Sequence, residues 1–503
     1  MTDPSPAATT SPGWGIHLPG GGGELDLVGG RNLTAAWAAQ WDVDSAAPVI
    51  HDAANGWCSA GELAERTERA AGRLWAAGLG PGDRVLISAA ASLDLVVAHV
   101  ACLRLGLVVV PANTAYRQEE LAHLVQDAAP RAAVVDSDER AGWLRLADPG
   151  LRALGPDIDL PDGPVPPLDA AAPDAPALIG YTSGTTGRPK GAVLSHANLL
   201  ASAEALRLAW RWQPDDRLVL SLPLFHMHGL GVGLHGTLLA GASAVLLERF
   251  DVDAVLDAAA GSAATLFFGV PTMYTRLAGS PRAAELRQLR LCVSGSAPLP
   301  ADLWRALAER SGQAVLERYG MTETVMLVSN PYDGERRPGT VGFPLPGVDL
   351  VLAEGSSEVL VRGPNVFGGY LNRPDANAEA FTGDGYFHTG DVGSLGADGY
   401  LSLVARLKEL IITGGYNVYP REIEDVLRQH PAVVDAAVAG IPDPEWGEVV
   451  GAWCESDGSA SAEELTRFVA DHLASYKRPR RVQLVDALPR NALGKVNKGE
   501  LPR

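Results

Sequence analysis

The sequence predicts an α/β protein, with a large N-terminal domain of layered α/β sub-structures followed by a small α+β domain. Three observations predict it. The chain has 503 residues, too many for one ordinary core. Helical stretches such as SAGELAERTERAAGRLWAAGL alternate with short β-branched runs such as DRVLISAA and RAAVVD, the rhythm of largely parallel sheets covered by helices. After Tyr332 the texture changes to short strands separated by glycine turns, as in EVLVRGPNVFGGY and DGYFHTGDVGSL.

Taken in order, residues 1–24 are rich in Pro, Ser, Thr and Gly and predict a flexible tail. They have neither the basic start nor the apolar centre of a secretion signal. Residues 25–404 form the predicted N-terminal domain. Within it, LDLVVAHVACLRLGLVVVPAN reads as a buried helix stopped at Gly106, then a short buried strand. His99 and Arg104 interrupt it, whereas a membrane span needs about 20 nearly unbroken apolar residues. A Pro/Asp/Ala-rich stretch between Gly155 and Pro176 predicts a surface connection. Residues 405–503 form the small domain. From REIEDVLRQHPAVVDAAVAGI onward the pattern is helix, strand, strand, helix, final strand and a polar tail.

Composition narrows the function classes. With 47% hydrophobic and 20% charged residues the chain is globular. Its 41 basic and 60 acidic residues give a net charge of −19, which excludes a broad nucleic-acid surface. An anionic ligand therefore needs a local positive site. Cys58, Cys102, Cys292 and Cys454 lie far apart and suggest neither a zinc site nor a disulfide framework, but reduced thiols in a cytoplasmic protein.

The stretch YTSGTTGRPKG, beginning at Tyr181, carries the strongest chemistry. Gly184, Gly187 and Gly191 let the backbone approach a ligand closely. Thr182, Ser183, Thr185 and Thr186 add hydroxyls, and Lys190 adds a positive charge, the parts of a polyphosphate cradle. The order differs from GxxxxGK[ST]: Lys190 follows a proline, and a second strand, AVLSH, follows instead of a helix. In ERYGMTET, Tyr319 offers an aromatic face to a purine, Thr322 a donor to phosphate, and Glu323 a hard oxygen ligand for Mg²⁺.

These strings resemble the adenylate-forming enzymes, the family of acyl-CoA synthetases, firefly-type luciferases and peptide-synthetase adenylation domains. The resemblance runs from about Leu33 to Lys498, with the motifs in the family's order. It implies the adenylate-forming enzyme fold, a small C-terminal domain that is mobile, ATP and Mg²⁺ as reactants, and coenzyme A as co-substrate. Thr182, Ser183, Gly184, Thr185, Thr186, Gly187 and Lys190 would cradle the phosphates. Ser296, Ala297 and Pro298 of SGSAPLP, with Glu317, Arg318, Tyr319, Gly320 and Met321, would surround the nucleotide. Thr322 would contact phosphate, and Glu323 with Thr182 would hold the metal. Asp391, ending GYFHTGD, would accept the ribose hydroxyls, and Arg406 would reach ribose and phosphate. Lys408 matches the hinge, where Ala405–Arg406 replaces the frequent Gly-Arg. Gly414 and Gly415 match the pair that faces the site during thiol transfer. Lys495, in PRNALGKVNK, matches the catalytic lysine.

The resemblance also implies that the substrate is a small carboxylic acid that itself attacks the α-phosphorus of ATP. His226, in LPLFHMHGL, would stand beside its carboxylate, with His228 packing behind and Ser296 near the acyl group. Several strings, among them FFGVPTMYTRL and SNPYDGERRPGTVGFPLPGV, resemble malonyl-CoA synthetases in particular. That resemblance implies malonate or methylmalonate as the acid, with Arg249 gripping the second carboxylate. A surface role for Arg249 stays open. Leu327 and Val328, where such enzymes carry more polar residues, favour a short, medium or long monocarboxylic acid instead. Loading of a separate carrier protein is a further alternative. Composition predicts no nucleic-acid partner and no membrane span.

Overall fold

The computed structural model describes residues 9–10, 13–18, 25–182, 189–413, 416–443, 446–490 and 495–502. The chain divides into two compact units. The larger comprises Ser11–Leu350 and Val361–Phe387, and the smaller comprises Met1–Thr10, Val351–Leu360 and His388–Arg503. The expected boundary after residue 404 falls inside the smaller unit, within the strand Leu401–Arg406. That strand pairs antiparallel with Phe387–Leu395, Asp391 facing Arg406, and this ladder holds both strands in one unit.

The larger unit is built on two sheets. In the six-stranded sheet the order is 152–154, 132–135, 84–88, 108–111, 176–182 and 190–195, parallel except for the last hairpin. The buried run behaves as its sequence predicts. Ser92 caps the helix Leu93–Arg104, whose residues are all buried except Asp94, and Gly106 breaks it at φ +80° before the strand Val108–Pro111. The nine-stranded sheet has a parallel centre of 316–319, 291–294, 266–269, 217–220, 243–246 and 48–52. Phe267, Phe268, Tyr274, Trp210 and Trp212 are fully buried around it. Such sheets are coated on both faces, which is why their strands read as short continuous apolar runs.

Two pieces of the expected flexible tail are ordered. Thr9–Thr10 pairs antiparallel with Val351–Leu352. Trp14–His17 forms a 3-10 turn whose last residue is buried, its Nε2 3.3 Å from the Phe343 carbonyl, while Arg211 donates to the His17 carbonyl at 2.8 Å. The polar average of the first 24 residues conceals this anchor.

The smaller unit takes in most of a five-stranded sheet, in the order 9–10, 349–352, 358–362, 387–395 and 401–406, and a second sheet formed by 411–413, 416–418, 433–443, 447–456 and 481–485. The helices Pro420–Leu427 and Ala462–His472 bury Ile423, Leu427, Leu465 and Val469 against this second sheet. Helix, strand, strand, helix and strand follow in the predicted order. All four cysteines are buried thiols, Cys102 pushed up to about 12 by burial. Among the described residues no helix is long and apolar enough to cross a membrane.

Candidate active site

Four neighbouring parallel strands of the nine-stranded sheet, 217–220, 266–269, 291–294 and 316–319, end on the same edge. The loops leaving their carboxyl ends carry His226, the Val270–Tyr274 segment, Ser296 and Thr322–Glu323. This is where open α/β sheets place their ligands. Motifs spread over about a hundred residues of sequence thus converge through topology.

The phosphate loop belongs to the six-stranded sheet. Its two strands, Pro176–Thr182 and Lys190–Ser195, pair antiparallel with Thr182 opposite Lys190, as the sequence predicts. Thr182 Oγ1 lies 3.5 Å from the Lys190 carbonyl. Ser183, Gly184, Thr185, Thr186 and Gly187 lie outside the described residues. The helix Gln118–Ala128 anchors both roots of the loop: Tyr181 donates to Asp127 at 2.8 Å, and His123 Nε2 sits 2.9 Å from the Pro189 carbonyl.

The strands that flank the loop pack against the turn that bears Glu323. A Cβ on Gly180 would fall 2.4 Å from Thr322 Cγ2, so only glycine lets this strand lie against the MTET turn. Lys190 Nζ stands 5.1 Å from the Tyr370 ring centroid, and the Tyr370 hydroxyl donates to Glu323 Oε1 at 2.9 Å. Asn365 donates to the Thr324 and Met326 carbonyls, and Phe367 N–H to the Glu323 carbonyl, bracing the turn from behind. Val325 is held there at φ +56°, a costly conformation for a β-branched residue. Sequence reading missed Asn365 and Tyr370, which stand in GPNVFGGY. That string reads only as strand and glycine turn, and nothing local points it at Glu323. Among the described residues no three or more His, Cys, Asp or Glu are grouped to hold a metal. The buried Glu323 carboxylate, linked to Lys190 through Tyr370, fits a Mg²⁺ that would take its other ligands from phosphate oxygens and water.

Around the acyl end, the segment after strand 217–220 winds into a π-helical turn, His228–Leu234. His226 is pushed down to about 4 by burial. His228, fully buried, is pushed lower still by burial, Arg318 and His226, so both imidazoles are neutral. His228 Nδ1 lies 3.2 Å from the Ser296 hydroxyl, and Ser296 is at φ +69°. His228, expected only to pack, is therefore part of the polar cluster.

Arg318 is the feature the sequence hides. Its side chain is packed against Gly295, where a Cβ would fall 2.3 Å from the guanidinium carbon. It is 5% exposed, and its Nε and Nη2 lack a hydrogen-bond partner among the described residues. Burial pushes it down to about 9. A guanidinium buried without a counter-charge is expensive, and an anion would relieve it. Arg249, by contrast, is exposed at a bend, so the desolvated grip expected of it is not available there. The physical reason is position: Arg249 follows the strand Ser243–Leu246 into solvent, whereas Arg318 points from the buried strand Leu316–Tyr319. Leu327 and Val328 are 0% exposed, so neither offers surface to a greasier pocket.

Glu317 is buried and accepts from Leu299 N–H at 2.9 Å, fixing the SGSAPLP turn, while Tyr319 is buried at the strand end. Ala297, Pro298, Gly320 and Met321 flank these positions on the same two turns.

In the smaller unit, Asp391 is buried and Arg406 Nε is 2.9 Å from its Oδ1, across the paired strands. Lys495 lies in the field of Arg406, Glu409, Asp391 and Lys498. Burial and then Arg406 push its ammonium down, while Glu409 and Asp391 oppose the shift. Lys408 lies in the 3-10 turn Leu407–Glu409. Gly414 and Gly415 lie outside the described residues.

A glycine-edged phosphate loop, a buried carboxylate for a metal, and a small α+β unit bearing an Asp–Arg pair and a lysine define the class of adenylate-forming ligases. The family profile described as AMP-binding enzyme matches residues 35–371, and that described as AMP-binding enzyme C-terminal domain matches 422–495. The chain belongs to the AMP-binding enzyme family, as an AMP-forming acyl-CoA ligase. It is 39% identical over 459 residues to the feruloyl-CoA synthase of Amycolatopsis sp, covering 88% of this chain and 93% of that protein. It is 39% identical over 369 residues to a malonate–CoA ligase of Arabidopsis thaliana, covering 66% of this chain and 61% of that protein. The crystal structure of ATP-bound MatB from Rhodopseudomonas palustris superposes with a TM-score of 0.87 at 41% identity, covering 93% of this chain and 98% of that one.

Proposed function

We propose that this ligase joins a short dicarboxylic acid of the malonate type, malonate or methylmalonate, to coenzyme A through an acyl-adenylate. The observation that carries the choice of acid is Arg318. A diacid presents two charges: one carboxylate becomes the nucleophile, and the other requires a cation deep in the acyl site. Arg318, buried with His228 in its field and, among the described residues, without a counter-charge, supplies it, and its planar fork suits a carboxylate. The likeness to a malonate–CoA ligase supports the same choice.

In the first half-reaction the neutral His226 borders the reacting carboxylate without adding charge, which leaves it nucleophilic. Lys190 and the phosphate loop hold the β- and γ-phosphates, Thr322 donates to phosphate, and Tyr319 bears on the adenine. Asp391 and Arg406 take the ribose. Lys495 brings its ammonium to the acid and the α-phosphate, offsetting the repulsion between two anions. A Mg²⁺ on Glu323, with Thr182 nearby, would neutralise the departing pyrophosphate. In the second half-reaction the small domain turns about Lys408, withdrawing Lys495 and presenting Gly414 and Gly415 to the coenzyme A thiol, which takes the acyl group. The exposed Arg478, Arg480 and Arg481 give this acidic protein a local cationic surface for a polyanionic thiol such as coenzyme A.

A second reading, an aromatic acid such as ferulate, is favoured by the likeness to a feruloyl-CoA synthase. It leaves Arg318 unanswered. The test is AMP release with coenzyme A across malonate, methylmalonate, acetate, butyrate, octanoate and ferulate, for wild type and Arg318→Met. We expect malonate to lead and Arg318→Met to lower its kcat/KM about a hundredfold or more, while butyrate is unharmed. Malonate turnover that survives Arg318→Met, or a preference for ferulate, sinks the assignment. Omitting coenzyme A, or replacing it with a carrier protein, checks the acceptor.

A further inference from the structure

The smaller unit holds a buried carboxylate that the mechanism above does not use. Glu358, in SSEVLVRG, begins the strand Glu358–Arg362 and is 7% exposed. In the five-stranded sheet this strand lies beside Phe387–Leu395, which carries the string HTGD ending in Asp391. A carboxylate is a costly residue at a buried strand position, and it persists there only when its oxygens are paired.

Both oxygens are in use. Oε1 accepts the Gly390 N–H at 2.9 Å, and Oε2 lies 2.9 Å from His388 Nδ1. Between those two residues, the Thr389 hydroxyl donates to the Val359 carbonyl at 2.7 Å and accepts the Asp391 N–H at 3.1 Å. Each of the three residues before Asp391 is thus held by Glu358 or by the residue that follows it. Thr389 and Asp391 are buried with them.

The Glu358 contact falls at the softest point of the turn. Gly390 is at φ +70°, in the left-handed region, and glycine has the loosest backbone of any residue. Its N–H is fixed by a charged acceptor, the stronger kind of hydrogen bond, one residue before Asp391. On the far side Asp391 meets Arg406, with Nε 2.9 Å from Oδ1. A carboxylate that is to accept two neighbouring ribose hydroxyls must be aimed closely, and a group so placed needs its own support behind it.

We infer that Glu358 is a positioning residue for ribose recognition: by holding Gly390 and His388 it fixes the turn that aims the Asp391 carboxylate at the ribose hydroxyls. This rests on the role proposed for Asp391.

The test uses the full chain and compares adenylation of the preferred acid with ATP and with 2′-deoxy-ATP. Wild type should favour ATP in kcat/KM by about ten- to a hundredfold, the worth of a hydrogen bond to a charged group. Glu358→Leu should shrink that preference about tenfold by raising KM for ATP, with kcat/KM for 2′-deoxy-ATP changed less than about threefold. Glu358→Gln should restore most of the loss, because its amide oxygen still accepts the Gly390 N–H. A general weakening of the fold would lower both nucleotides together. If Glu358→Leu does not fold, His388→Ala frees Oε2 alone, from a side chain 39% exposed, and should cost about threefold of the same preference. A preference that neither variant lowers, rates with the two nucleotides that fall in step, or a Gln variant as poor as Leu overturns the proposal. Asp391→Ala runs alongside. If it keeps the preference, or if wild type shows none, the role of Asp391 falls first and the proposal with it. If Asp391→Ala loses the preference and Glu358→Leu keeps it, the proposal alone falls.

Discussion

The candidate acyl site of the larger unit and the smaller unit treat charge in opposite ways. In the larger unit the candidate acyl site buries polar groups and leaves them waiting: Arg318 Nε and Nη2, His226 Nε2 and His228 Nε2 lie inside the protein without hydrogen-bond partners among the described residues. In the smaller unit the corresponding cations are matched. Arg406 faces Asp391, Lys498 bridges Glu409 and Glu424, Arg428 reaches Asp435 and Asp425, and Lys477 reaches Glu422. An unmatched buried group stores free energy that a ligand releases, whereas matched pairs stabilise a unit in any state of ligation. The contrast suits a substrate-holding unit and a smaller unit that carries its own matched charges.

The largest test bears on the lid. Lys495→Ala should lower adenylate formation about a hundred- to a thousandfold, as loss of a group aimed at developing charge does, while transfer from supplied acyl-AMP survives. Pyrophosphate release and single-turnover thioester formation read the two steps, and equal loss of both would contradict the division of labour.

Stability should separate the units by sign. Arg318→Met should raise the unfolding free energy by about 1–3 kcal/mol, because a buried charge without a partner is replaced by an apolar chain of similar length. Arg428→Met, which takes from Asp435 one of its two arginines and leaves Arg490, should lower it by about 1–3 kcal/mol. Urea melts of both variants measure this, and like signs would break the comparison.

Acid should find the larger unit first. His17 and His196 are pushed down to about 4 and His99 to about 3, in each case chiefly by burial, and His99 Nε2 lies 2.9 Å from His235 Nε2. Their folded pKa lies below the ordinary 6.5, so the fold excludes a proton that the unfolded chain accepts. The stability they contribute is complete above about pH 6.5 and is lost as pH falls from there toward 3–4, about 2 kcal/mol for each by pH 5. Thermal melts of wild type and His99→Gln between pH 4 and 7 test this; the variant should show the shallower acid slope.

A smaller effect is expected at the seam between phosphate loop and metal ligand. Tyr370→Phe keeps the ring under Lys190 and removes the hydroxyl on Glu323, so Mg·ATP should bind about five- to tenfold more weakly by calorimetry. Smallest of all, Arg249→Ala should shift stability by under about 0.5 kcal/mol and leave malonate turnover intact, as an exposed bend residue does.

Much was legible without coordinates. The helix Leu93–Arg104 with its glycine stop, the strand pair flanking the phosphate loop and the order of the small domain follow from hydrophobic period, glycine placement and β-branched runs, all of them local signals. Thr322 and Glu323 were legible because their motif carries its own chemistry. Arg249 and Arg318 were not distinguishable this way: each is one arginine following a glutamate, in LERF and LERY. The ordered turn at Trp14–His17 was likewise diluted by its polar neighbours.

The sequence by itself determined the class of chemistry, because a loop of glycines, hydroxyls and a lysine selects phosphate through backbone and side chains a few residues apart. Only the tertiary structure decided which arginine is desolvated, which tyrosine meets Glu323 and which lysine occupies Glu409. Those facts depend on strands and turns far apart in the chain lying side by side, and burial is a property of that packing rather than of any stretch of residues.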